Sequence, residues 1–254
     1  MQPHQSFRIW FTQRSGSTLL CKGLEDTGLT GRPGEFFNLS MEETLWDKYG
    51  VTSYDAFREH LWKLGSSSNG VFGIKHSVHH TYYRHLLGEI AALDGAPEYR
   101  EGDPESVLAD LFPNCKHIYL TRRNKIRQAV SWWKAIKDDV WHLSSGQTQE
   151  QTEDFYEEHY DFDAIMHLFK EANLKECTLQ DQFDQYALRP LVVVYEDMIK
   201  DFPGTLTRIL DYLEIKGPTT LPPKNLQRTA NQYSERWVQR FRTDLQAAMP
   251  HQVW

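Results

Sequence analysis

Short apolar runs of strand length alternate along the chain with longer stretches in which apolar residues recur every three to four positions. Phe7 to Phe11 reads as a buried strand; it breaks at a small polar loop, Arg14 to Thr18, and a helical pattern begins at Leu19, Leu20 and Leu24. Val71 to Lys75, Lys116 to Thr121 and Pro190 to Tyr195 read as three further strands. The last is a continuous β-branched run, which suits a central strand buried on both faces. Between them the periodicity predicts helices over 41–49 and 53–64, with Ser53 as an N-cap, and helix continuing through 86–93. Long helical material over 147–177, a helix over 202–213 with Pro203 in its first turn, and a final helix over 234–248 complete the pattern. Loops containing Gly and Pro separate these elements, at 27–37, 94–104 and 217–223. Strands alternating with helices predict an α/β fold built on a parallel, doubly wound sheet, and 1–254 reads as one domain.

Composition narrows the function classes. A formal net charge of −7 argues against a general nucleic-acid binder. Cys21, Cys115 and Cys177 lack metal-ligand spacing and cannot all pair, which points to a reducing compartment and a cytoplasmic location. The sequence holds no apolar run of about eighteen residues, and its N-terminus has no signal-like stretch.

The candidate chemistry gathers where predicted strands end. A strand, tight loop and helix in succession bring backbone N–H groups to a helix N-terminus. With the hydroxyls of Ser15, Ser17 and Thr18 and the charge of Arg14, they make an anion cradle, and Gly16 lets the backbone approach closely. The same residues also read as a polar turn with a helix cap. The spacing is not that of a nucleotide triphosphatase loop, and the lysine of that motif is missing. The shaped loop at 27–37 ends in Glu35, Phe36 and Phe37 and returns Glu35 towards the cradle; a solvated carboxylate is the plainer reading of that residue. Lys75 closes the second strand, at the edge where open α/β sheets bind ligands. His76, His79 and His80 follow it without a carboxylate or cysteine at ligand spacing, and no metal is assigned to them. Arg122, Arg123, Lys125 and Arg127 place four cations within six residues at the third strand's end. Arg123 and Ser131, eight residues apart, can approach across two helical turns and hold a second phosphate; a basic solvated helix face is the alternative.

Two anion sites at two strand ends resemble the sulfotransferases that use 3′-phosphoadenosine 5′-phosphosulfate (PAPS). In that family a strand-loop-helix cradles the phosphosulfate, and an Arg with a Ser eight residues later holds the 3′-phosphate, the spacing of Arg123 and Ser131. The segment Val193-Val194-Tyr195-Glu196-Asp197 recurs there too. The closer resemblance is to the bacterial trehalose 2-sulfotransferases: Gln13 to Leu20 resembles their opening motif. Thr27-Gly28, Gly31, Pro33 and Glu35-Phe36-Phe37 follow their second motif, Gln128 to Ser131 their phosphate segment, and Ser234 to Val238 their last helix. The resemblance implies a P-loop-like sulfotransferase fold and metal-free, in-line sulfuryl transfer from PAPS to a carbohydrate hydroxyl. It implies Glu35 as general base, Arg14 stabilising the leaving phosphate, and donor contacts from Arg14, Ser15, Gly16, Ser17, Thr18, Arg123 and Ser131. Gln13, Arg32, Glu35, Phe36, Phe37 and Lys75 fall on the acceptor side, and homodimers are common among the similar enzymes. Arg32 stands where the trehalose enzymes carry an acidic residue, and the segment after Phe37 also differs, which points to an altered acceptor. Two other classes compete: a nucleoside-triphosphate phosphotransferase, disfavoured by the missing lysine, and a non-catalytic anion- or glycan-binding module.

Overall fold

The structure is a computed structural model and describes residues 2–40, 42–77, 80–142, 152–217, 221 and 231–249. In chain order its elements are β1 (Gln5–Phe11), α1 (Ser17–Asp26), α2 (Leu45–Tyr49), α3 (Tyr54–Gly65), β2 (Val71–Ser77) and α4 (His80–Ala91). They continue with α5 (Glu105–Leu108), β3 (Cys115–Thr121), α6 (Lys125–Asp138), α7 (Glu153–Glu158) and α8 (Phe162–Gln185). β4 (Leu191–Val194), α9 (Tyr195–Met198), α10 (Phe202–Tyr212) and α11 (Gln232–Ala248) complete the chain. The four strands form a parallel sheet in the order β2-β1-β3-β4. β1 is therefore central, with Ile9 level with Lys75 on one side and Ile118 on the other.

Side chains of β1 alternate between the two faces of the sheet. Phe7, Ile9 and Phe11 join Ile118, Leu120 and Val193 beneath α1 and α10. Trp10 packs on the opposite face with Phe72, Ile74 and residues of α3 and α4. A third apolar cluster, built around Ile165, Trp237 and Phe241, joins α6, α8 and α11. Arg8 interrupts the apolar reading of β1: it is buried, pairs with Glu105 of α5, and lies over the rings of Trp10 and Phe112 at 5.2 and 4.9 Å. A carboxylate partner at one nitrogen and two aromatic faces offset part of the hydration that this guanidinium loses.

Three predicted elements differ. The β-branched run at 190–195 is an edge strand rather than a central one: β4 has β3 alone as neighbour, and Val192 is 48% exposed. Tyr195 leaves the strand and opens α9. The helix predicted over 41–49 starts only at Leu45, because Thr44 and Asp47 form a capping box that fixes its first turn; Met41 lies outside the described residues. The helical stretch at 147–177 is two helices broken at Tyr160–Asp161, where the Asp161 side chain accepts the Ala164 N–H and starts α8. Residues 147–151 of that prediction, and most of the Pro-rich 217–223 segment, lie outside the described residues. Ser53 does cap α3, and Pro203 does sit in the first turn of α10.

Candidate active site

The carboxyl ends of the strands converge on the loop after β1. That loop lies where chain connections diverge, since β1 leads to β2 on one side while β3 returns on the other. Its shape is fixed from below by Gln128, buried on α6, whose amide donates to Thr12 Oγ1 and to the Gln13 carbonyl, both at 2.7 Å. Arg14 then takes a left-handed conformation (φ 62°), as does Gly16 (φ 92°), and α1 begins at Ser17 with no side-chain cap. The first N–H groups of a helix have no intrahelical acceptor, so this turn presents them together with the positive end of the helix dipole. The Ser15 hydroxyl is buried beside them without a hydrogen-bond partner. A Cβ on Gly16 would stand 2.5 Å from the Tyr195 ring, so the loop backbone lies directly on that ring.

Arg14 reaches from the loop to α6, donating Nε–H to Ser131 Oγ at 3.0 Å and a second N–H to the Trp141 carbonyl. Arg122, at the end of β3, donates to the Arg14 carbonyl at 3.1 Å and lies 4.7 Å over Tyr195. Burial, and then the neighbouring charge of Arg122, lowers the Arg14 pKa to about 10, which leaves it cationic at neutral pH. These contacts bring Gln13, Arg14, Ser15, Gly16, Ser17, Thr18 and Ser131 into one neighbourhood.

Beside the loop, a cleft of about 170 Å³ is lined by Gln13, Glu35, Phe37, Asn38, Lys75 and Lys175, among others. Gly34 pairs with Ile74, and the Lys75 N–H donates to the Gly34 carbonyl at 3.0 Å, which sets Glu35 level with the end of β2. Lys75 Nζ lies 2.9 Å from Glu35 Oε1 and 3.2 Å from Thr18 Oγ1. One lysine thus joins the carboxylate in the cleft to the anion loop. Gln13 spans the mouth of the cleft, taking a hydrogen bond from Lys175 Nζ on Oε1 and giving one to Ser77 Oγ, each 3.1 Å. An ammonium only donates, so the orientation of the Gln13 amide is fixed.

Other predicted residues stand apart from this constellation. Arg32 is exposed, and its N–H donates to the Gly65 carbonyl near the start of β2. Phe36 is partly buried in the α3 side of the core, its ring against Gly34 and Gly65, whereas Phe37 is fully buried. Arg123 pairs with Asp197 at 2.8 Å while Ser131 holds Arg14, so the two have different partners. Arg123 lines a broader groove of about 470 Å³ with Asn124, Lys125, Glu196 and Arg242. Of the three histidines, His76 is buried against Trp10; His79 and the side chain of His80 lie outside the described residues. Among the described residues no three metal-ligating side chains cluster, and no helix is long and apolar enough to cross a membrane.

Sequence reasoning passed over three contributors. Lys175 sits four residues from Glu171 on an amphipathic helix, a pattern that ordinarily means a solvated pair. Burial nevertheless lowers its pKa, against the pull of Glu171. Glu196 accepts the N–H groups of Arg123 and Asn124 at 2.9 and 3.0 Å and so caps α6 from another element. His142, just past α6, contacts Thr18 Oγ1 at 3.2 Å. Only Glu196 had a local signal, its place in the Val-x-Tyr-Glu-Asp segment.

A parallel sheet with an uncapped, left-handed strand-loop-helix turn at its carboxyl edge defines an α/β protein of P-loop-like architecture. Residues 6–244 match the family model of the Stf0 sulphotransferases, and the chain belongs to that family. It is 28% identical to a trehalose 2-sulfotransferase of Mycobacterium tuberculosis, over 94% of each chain. A second trehalose 2-sulfotransferase, from Mycolicibacterium smegmatis, is 25% identical over 95% of this chain and 96% of its own. A solved sulfotransferase from Alicyclobacillus acidocaldarius shares the fold: TM-score 0.51 at 14% identity, covering all of this chain and 98% of the other.

Proposed function

We propose that this protein transfers a sulfuryl group from PAPS to a carbohydrate hydroxyl, with Glu35 as the general base. The observation that carries the reading is the continuous line Glu35, Lys75, Thr18, which joins a small polar cleft to an anion loop. The loop fits an oxyanion: a buried, unpartnered Ser15 hydroxyl, a glycine whose Cβ would collide, uncapped N–H groups and a partly buried arginine all face one requirement. Arg14 to Thr18 would hold the phosphosulfate, and Arg123 and Ser131 the 3′-phosphate; PAPS bound there supplies the sulfuryl group.

The chain's own residues do the rest. Glu35 takes the proton of the acceptor hydroxyl, a step worth about 10²–10⁴-fold in rate when a base is well placed. Lys75 holds the Glu35 carboxylate in position and adds positive charge between cleft and loop. Arg14 and the first N–H groups of α1 meet negative charge as it grows on the leaving oxygen. The cleft is below the ~300 Å³ typical of drug-sized pockets, which suits one sugar ring at a time. Trehalose is the acceptor in the names of two relatives. Arg32 sits near the start of β2, so the case for an altered acceptor rests on Asn38 and Leu39, which line the cleft, rather than on Arg32.

The test is a panel of sugars, trehalose included, incubated with PAPS, with release of 3′,5′-diphosphoadenosine (PAP) and product mass as readouts. Glu35→Gln is expected to lower kcat by about 10²–10⁴-fold while PAP binds as in the wild type. Undiminished turnover by that variant would remove Glu35 from the mechanism. Binding of ADP in preference to PAP would favour the phosphotransferase reading.

A further inference from the structure

The turn that follows α6 is built to reach the anion loop. Asp138 is buried against Lys134 at 2.7 Å and accepts the Val140 N–H at 2.9 Å. Asp139 takes a left-handed conformation (φ 52°) that reverses the chain, and its carboxylate accepts the Trp141 indole N–H at 3.2 Å. The two residues so placed meet the loop: the Trp141 carbonyl accepts from Arg14, and His142 Nε2 lies 3.2 Å from Thr18 Oγ1.

Proton counting at Thr18 gives this contact its meaning. Lys75 Nζ is a donor only, so it occupies a lone pair of Thr18 Oγ1. The hydroxyl keeps its one proton, and with His142 as the neutral tautomer protonated on Nδ1 that proton points at Nε2, which accepts it. Desolvation against the loop, and then the charges of Arg14 and Lys75, hold the His142 pKa below the usual imidazole range, with Glu35 opposing. Asp139 of the same turn is engaged with the Trp141 indole N–H. While the proton points at His142, Thr18 cannot donate it to an anion at the start of α1.

We propose that His142 is a residue of the donor cradle, holding the Thr18 hydroxyl proton before a phosphosulfate or diphosphate oxyanion binds and releasing it when one does. The inference rests on the PAPS reading above. A polyanion in the loop offsets the charges of Arg14 and Lys75, the two cations that oppose a proton on His142. His142 then takes a proton on Nε2 from solvent, which reaches its exposed ring. It can no longer accept from Thr18, whose O–H turns to the bound oxyanion. The balance is one proton gained from solvent and one hydrogen bond redirected.

Calorimetric titration of the protein with PAP, at pH 7.5 in two buffers of different ionisation enthalpy, tests this through the difference between wild type and His142→Gln. The amide of Gln can accept from Thr18 but cannot titrate. Wild type is expected to take up about half to one proton more than the variant, and its PAP affinity to fall more steeply with rising pH, by up to about tenfold per unit. His142→Asn serves as the second variant should Gln at this position prevent folding. Equal proton uptake by wild type and variant would overturn the role of His142. Failure of wild type to bind PAP at all would instead overturn the donor assignment on which the role depends.

Discussion

Single residues set the anion loop. Gly16 combines two demands that no other side chain meets: a φ of 92° and a ring carbon of Tyr195 2.5 Å from where a Cβ would stand. The first costs an L-residue about 1–2 kcal/mol and the second, as overpacking, about 1–3 kcal/mol. Gly16→Ala is therefore expected to lose about 2–5 kcal/mol of stability in urea titrations and to bind PAP more weakly. Combining it with Tyr195→Leu should restore only the part due to the ring. A Gly16→Ala protein as stable as wild type would mean that the backbone does not lie on Tyr195 as described. Arg14 carries a comparable φ of 62° without being glycine, and its contacts to Ser131 and Trp141 oppose that strain.

At the scale of elements, α6 is held at both ends by groups that also shape the site. Its N-terminus is capped twice, by Asn124, which accepts the Arg127 N–H at 3.0 Å, and by Glu196 from across the β3–β4 edge. Burial works against the charged form of Glu196, but the N–H groups of Arg123 and Asn124 and the charge of Arg122 outweigh it, and its pKa is lowered. A carboxyl depressed in the fold contributes stability above its unfolded pKa of about 4.3. That contribution disappears as pH falls through the folded value. Glu196→Gln should then cost about 1 kcal/mol at pH 7, the usual worth of a cap, and the gap to wild type should close below about pH 4.3. Denaturant titrations at pH 7, 5 and 3.5 read this directly; a gap that stays constant would remove the charge from the argument.

At the scale of the whole molecule, the sheet order decides which strands are sensitive. β1 has neighbours on both sides and apolar layers on both faces, whereas β4 has one neighbour and exposes Val192. Val192→Lys is accordingly expected to change stability by no more than about 0.5 kcal/mol, and a lysine on an edge strand also discourages pairing with other chains. Thermal melts of this variant check the assignment; a loss of several degrees would return β4 to the sheet interior. The same order places the loop after β1 at the point where crossovers part, which is why residues from β2, α6 and the turn after α6 all reach it.

Much of this was local and therefore legible in the sequence. The alternation of strands and helices, the Ser53 cap and Pro203 in a first turn depend on a few adjacent residues, whose propensities and spacing act before any tertiary contact forms. The return of Glu35 towards the loop after β1 and the place of Lys75 at a strand end were legible, but their pairing with each other was not. The edge position of β4 was not legible, because a β-branched run has the same composition at an edge as in a centre. The burial of Arg8 and the reach of Lys175 and His142 were equally hidden: each was decided by a partner far away in the chain, respectively Glu105, Gln13 and Thr18. Sequence determined which elements form. Only the tertiary structure decided which charges meet, because a charge's environment is set by the faces that pack around it rather than by its neighbours in the chain.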